Sequence, residues 1–107
     1  MTKQIDEVER ARSGDPDALS QLYHAHAGGM LRVAYHLLGS RADAEDVVHD
    51  VFLGLPEALR GYEERGKFAS WIRRLAVRTA LGRMRRHRRE VSIELLTDPR
   101  STGRLSR

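Results

Sequence analysis

Apolar residues recur along this chain at intervals of three and four and never in a sustained alternation, so the pattern predicts helices and no sheet. In GDPDALSQLY, Asp15 has the chemistry of an N-cap, and Pro16 fits the first helical position, where its missing N–H costs nothing. Leu19, Leu22, Tyr23, His26, Met30, Val33, Ala34 and Leu37 then mark one face of a first helix. Gly39 is its stop, and Gly28-Gly29 is a weak point open to bending. Ser40 and Asp43 form a capping-box-like start for a second helix, and the acids at 43, 45 and 46 suit the positive end of its dipole. Its buried stripe is Ala44, Val47, Val48, Val51, Phe52, Leu55, Leu59 and Tyr62, while Asp46, His49, Asp50, Leu53 and Glu57 fall on other faces. Pro56 predicts a bend near Leu53, unless Gly54 ends one helix and Pro56 starts another.

After the break at YEERG, Phe68, Trp71, Ile72, Leu75, Ala76 and Thr79 start a third helix. Its opposite face carries Arg73, Arg74, Arg78, Arg85 and Arg88, with Val77, Leu81 and Met84 set among the arginines. A shorter helix is expected over residues 4–12. Beyond Glu90, VSIELLTDPRSTGRLSR loses periodicity and gains Ser, Thr, Pro and Gly, which reads as a polar linker or tail. The expectation is an all-α, compact helical domain of three main helices plus a short N-terminal one over residues 1–89, followed by a tail over 90–107.

Composition sharpens this picture. The chain has 107 residues, 40% of them apolar, enough for one domain with a modest core. The absence of cysteine excludes disulfides and thiolate metal sites and fits a reducing cytoplasm. No apolar run has the length of a membrane span, and the polar, acidic MTKQIDEVER is no secretory signal, so a cytoplasmic location is expected. The net charge of +4 conceals a segregation. Residues 1–64 hold six Lys/Arg against twelve Asp/Glu, whereas residues 65–89 hold ten Lys/Arg and no acid. Two oppositely charged faces imply two partners, one of them a polyanion.

Catalytic chemistry finds little support. Asp46 and His49 have the i, i+3 spacing of carboxylate-bridged metal sites, but the second pair and further inward carboxylates that such sites need are missing. His24 and His26, two residues apart, diverge on a helix. There is no glycine-rich phosphate loop, nucleophile elbow or cysteine nucleophile. The chain therefore reads as a binding module, not an enzyme, with no metal or cofactor implied. A lipid surface would need the apolar face that carries Trp71, which the core requires, so the polyanion is read as nucleic acid and not membrane. Tyr62, Phe68 and Trp71 bracket the loop at the foot of the arginine helix. Trp71 reads as core, and Tyr62 and Phe68, at the loop edges, as more open. Aromatic faces beside a cationic groove hold unstacked bases, each stack contributing about 1–3 kcal/mol. Two other readings stand beside this one: a generic basic nucleic-acid-binding module, and an interaction module whose arginine helix docks an acidic protein.

In order and spacing, DAEDVVHDVFLGLPEAL, the aromatic-bounded loop, FASWIRRLAVRTA and the basic helix resemble region 2 of bacterial sigma factors of the extracytoplasmic-function (ECF) group, over residues 14–89. The resemblance implies a helical domain that binds core RNA polymerase and recognises and melts the promoter minus-ten element. It assigns Asp46, His49, Asp50 and Leu53 to the clamp coiled coil of the largest polymerase subunit. It sets the loop from Tyr62 to Phe68, with Arg65 and Lys67, at a base flipped from the non-template strand. Arg73, Arg74, Arg78, Arg85 and Arg88 would then follow phosphates and upstream bases. An anti-sigma factor is a further partner that the resemblance allows. Three positions depart from the family pattern: His49 where glutamine is common, Arg78 where asparagine is common, and Gly82 where aspartate often stands. Such factors also continue into a second helical domain that reads the minus-thirty-five element, and the sequence stops short of it.

Overall fold

Residues 2–97 are described by the structure, a computed structural model. Helix α1 (Thr2–Arg12) leads through a turn at Gly14 into α2 (Pro16–Leu38), α3 (Arg41–Leu53), the single turn α4 (Leu55–Ala58), a 3₁₀ turn (Leu59–Gly61) and the long α5 (Phe68–Thr97). No strand occurs among the described residues.

The local signals act where the sequence sets them. The Asp15 carboxylate accepts from the Asp17 N–H at 2.9 Å, and the Ser40 hydroxyl accepts from the Asp43 N–H at 3.2 Å, each satisfying a donor that the first helical turn leaves orphaned. Gly39 ends α2 with φ +69°, the left-handed conformation that an L side chain resists. Gly28-Gly29 produces no break, and α2 runs through it. At Pro56 the chain takes the second of the two expected courses. Gly54 closes α3, its N–H bonding the Asp50 carbonyl at 3.2 Å, and Pro56 sits in the first turn of α4, where it needs no donor.

One apolar core joins these elements. Leu22, Met30 and Ala34 of α2 are buried with Ala44, Val47, Val48 and Val51 of α3, Leu55, Leu59, and Phe68, Ile72, Ala76 and Ala80 of α5. Burying a large aliphatic or aromatic side chain contributes about 1.5–3 kcal/mol each, so the Phe68, Leu22, Met30, Leu55, Leu59 and Ile72 group, all fully buried, dominates cohesion. Tyr23 and Leu37, expected on the buried face of α2, lie at its margin and stay more than a third exposed, Tyr23 packing its ring edge against Phe52 at 4.9 Å. Helix α1 is tied on by Val8 and Ala11 and by Arg12, which donates from Nε to the Leu59 carbonyl at 2.9 Å and from Nη2 to the Tyr62 carbonyl at 3.0 Å.

The loss of periodicity after Glu90 is not a loss of helix. α5 continues to Thr97, whose hydroxyl donates to the carbonyls of Ile93 and Glu94. Residues 90–97 contain no Gly or Pro to stop it, and their apolar side chains form no buried stripe because this end of α5 stands clear of the bundle, with Ile93 and Leu96 exposed. The rest of the expected tail, residues 98–107, lies outside the described residues.

Candidate nucleic-acid interface

The buried stripe Phe68, Ile72, Ala76 and Ala80 holds α5 against the bundle and turns its arginines outward. Arg73, Arg74, Arg78, Arg85 and Arg88 are all exposed, and none of them makes an ion pair among the described residues. From Arg73 to Arg88 the helix rises about 22 Å, at 1.5 Å per residue. Such a track spans several backbone phosphates. Arg73 leans across α2, where a side chain at Gly29 would meet its Cδ at 3.6 Å.

The loop before α5 is more ordered than its sequence suggested. Glu64 closes it from within: one carboxylate oxygen accepts from the Tyr62 hydroxyl at 3.0 Å and the other from the Gly66 N–H at 2.7 Å, with Gly66 in the left-handed conformation at φ +72°. Burial, helped by the Glu64 carboxylate, pushes the Tyr62 hydroxyl above the usual tyrosine range. Arg65, exposed, pairs with Glu63 at 2.9 Å, and Lys67 is exposed beside it.

The expectation that Tyr62 and Phe68 are the open aromatics is corrected. Tyr62 is 7% exposed and Phe68 1%, while Trp71, assigned to the core, is the partly exposed one. The three rings pack on one another, Tyr62 edge-on to Phe68 at 5.4 Å and tilted on Trp71 at 4.7 Å. His26 adds an edge contact to Phe68 at 5.0 Å. Arg12 donates to the Leu59 and Tyr62 carbonyls and so ties the backbone on which the Tyr62 ring stands to α1, and no local sequence signal near Tyr62 announces a partner fifty residues away. Tyr62 and Phe68 therefore form the floor of the loop instead of a platform for a base.

Helix α3 presents Asp46, His49, Asp50 and Leu53 to solvent. Leu53 is 70% exposed, an apolar side chain with no intramolecular use. The two carboxylates are not free of the basic helix, however. Arg83, whose side chain is 30% exposed, reaches from α5 to Asp50 at 3.3 Å and Asp46 at 3.4 Å. Sequence reasoning does not single out Arg83. Its signal is the register: Arg83 lies three residues after Ala80 and so continues the edge of the buried stripe. No group of three or more His, Asp or Glu side chains able to hold a metal ion occurs among the described residues, and no helix among them is long and apolar enough to cross a membrane.

Comparison with known proteins identifies the family. The sigma-70 region 2 family model matches residues 22–90. Among curated proteins, the chain is 31% identical over 80 residues to the ECF RNA polymerase sigma factor SigE of Mycolicibacterium smegmatis, covering 72% of this chain and 31% of that one. It is 30% identical over 71 residues to the ECF RNA polymerase sigma factor BldN of Streptomyces coelicolor, covering 65% of this chain and 27% of that one. Against the ECF RNA polymerase sigma factor SigW of Bacillus subtilis it is 23% identical over 79 residues, 74% of this chain and 42% of that one. The chain thus spans less than half the length of each of these relatives. No solved structure matches significantly.

Proposed function

The chain belongs to the sigma-70 region 2 family, and from that premise we propose that it is the part of a transcription initiation factor that docks on core RNA polymerase through α3 and holds the opened minus-ten strand along α5. The observation that carries this reading is the division of the surface: an acidic stripe ending in a solvent-exposed Leu53 on α3, and on α5 the exposed row Arg73, Arg74, Arg78, Arg85 and Arg88, which makes no ion pair among the described residues, both fixed to one core. Action is by binding and not by catalysis.

Thermal opening of an A/T-rich element exposes the non-template strand, and the exposed cations Arg65 and Lys67 draw it to the loop. Trp71, partly exposed at the loop's foot, is the aromatic surface available there. Unstacking a base costs a few kcal/mol, which stacking and phosphate contacts offset. Beyond the loop, Arg73, Arg74 and Arg78 take the phosphates, and Arg85 and Arg88 extend the track upstream.

Polymerase docking is tested with the isolated clamp coiled coil of the largest polymerase subunit. Asp46→Lys and Asp50→Lys should abolish binding. Those changes also oppose Arg83, so Leu53→Ser is the cleaner arm: with 70% of Leu53 in solvent, the fold is untouched and binding should fall about tenfold. Binding that survives both would remove α3 as the docking face. On the DNA side, Arg74→Ala with Arg78→Ala should flatten the salt dependence of single-strand binding by about 0.7 log units for each phosphate no longer neutralised. An unchanged slope removes these two residues from the track.

A further inference from the structure

A concavity lies on the exposed face of α2, away from the loop. Gly28, Leu31, Arg32, Tyr35 and Arg41 line it, and its volume is about 470 Å³, within the size range of small-ligand sites. Tyr35 is 51% exposed and shares the lining with two arginines. Residues 18–42 contain no Asp or Glu, and the one acid of α2, Asp17, lies in its first turn, eleven residues before Gly28. Arg32 makes no ion pair among the described residues, and Arg41 has only the solvent-exposed contact to Glu45 at 3.5 Å, a kind of pair worth little in water. Arg73 of α5 approaches α2 at Gly29, the residue after Gly28 in the lining.

We propose that this face of α2 is a second single-strand DNA subsite, with a base stacked on Tyr35 and the flanking phosphates held by Arg32 and Arg41. An exposed aromatic ring sharing a concavity with two guanidinium groups is the pairing that recognises unstacked bases: the ring supplies a sequence-tolerant face, and the cations track the backbone. Glu45 does not block the site, since an exposed carboxylate yields Arg41 to a phosphate at little cost. The proposal rests on the reading of α5 as a strand-binding track and extends it. The strand passes from the α5 arginines, by way of Arg73, onto α2, so the bundle grips it on two helices.

The test is fluorescence anisotropy of a labelled twelve-nucleotide oligo(dT) with the full chain at low salt, comparing Tyr35→Ala, Tyr35→Phe, Arg32→Ala with Arg41→Ala, and Arg74→Ala with Arg78→Ala. Circular dichroism checks that each variant is folded. Tyr35→Ala should weaken binding about tenfold, Tyr35→Phe by less than twofold, and the Arg32/Arg41 pair should reduce the salt slope by about 1.4. If Tyr35→Ala binds as wild type while the Arg74/Arg78 pair is weakened, the subsite is overturned and the α5 track stands. The reverse pattern upholds the subsite and removes the track from α5. No binding of oligo(dT) by the wild-type chain overturns both. Loss of poly-glutamate binding in the Arg32/Arg41 pair equal to the loss on DNA, with Tyr35→Ala neutral, would assign the face to an acidic protein instead.

Discussion

Arg12 offers a test of what orders the loop. It lies in the last turn of α1, yet its guanidinium ties two backbone carbonyls, Leu59 at 2.9 Å and Tyr62 at 3.0 Å, and also contacts Glu9. The Arg12 side chain is 28% exposed, so these charge-assisted bonds are partly shielded from water. Hydrogen bonds to charged groups contribute about 1.5–3 kcal/mol each, and partial exposure reduces the sum for Arg12→Met to about 2–3 kcal/mol. At roughly 4–8 °C per kcal/mol for a domain this size, melting should fall by about 10–20 °C. Arg12→Lys cannot fork across two carbonyls and should recover less than half of the loss. Arg10→Ala is the control, since Arg10 makes only exposed contacts, to Asp15 at 3.7 Å and Gln21 at 3.3 Å, and should cost less than about 0.5 kcal/mol. Thermal unfolding followed by circular dichroism reads all three variants. An Arg12→Met chain that melts with the wild type would mean that α1 does not hold the loop.

Other substitutions probe separate links. Arg83→Gln removes the bridge to Asp46 and Asp50 and should cost about 0.5–1.5 kcal/mol in urea unfolding, with the same denaturant slope; a loss of more than about 3 kcal/mol would mean that the bridge is part of the core. Gly39→Ala forces a side chain into φ +69° and should cost about 1–2 kcal/mol by the same measurement, so a neutral result would show that the α2 terminus relaxes. His26 is held below the usual histidine value by burial and then by Arg73, against the opposing pull of Glu7. The unfolded chain therefore takes up its proton near pH 6.5, while the folded chain does so only at lower pH. Stability should consequently fall as pH drops below about 6.5 toward the lower folded value, and the His26 contribution should be absent above it. His26→Gln should lose that part of the slope between pH 7.5 and 5.5, and an unaltered slope would clear His26 of the effect.

How far the sequence could be read depended on the range of the interaction concerned. Caps at Asp15 and Ser40, the left-handed Gly39 and the Gly54-Leu-Pro56 break all act within four residues, and each was visible in the residue types alone. The charge division was equally legible, because exposure of arginines needs no partner to predict it. What escaped was tertiary: Tyr62 and Phe68 are buried in a cluster with Trp71 and with His26 of α2, the Tyr62 backbone is tied to Arg12 of α1 fifty residues earlier in the chain, and Trp71 stands at the margin. The continuation of α5 past Glu90 escaped for the opposite reason, since a helix that packs on nothing shows no periodicity to detect. Arg83 joins both kinds of interaction. Its charge placed it with the basic helix, but its register, one turn after Ala80, directs it to α3, where it shares its guanidinium between Asp46 and Asp50. A basic partner arriving at those carboxylates must compete with Arg83, and an arginine released from them is added to the cations available to a phosphate backbone. The two faces that composition separates are therefore joined by ion pairs at one residue.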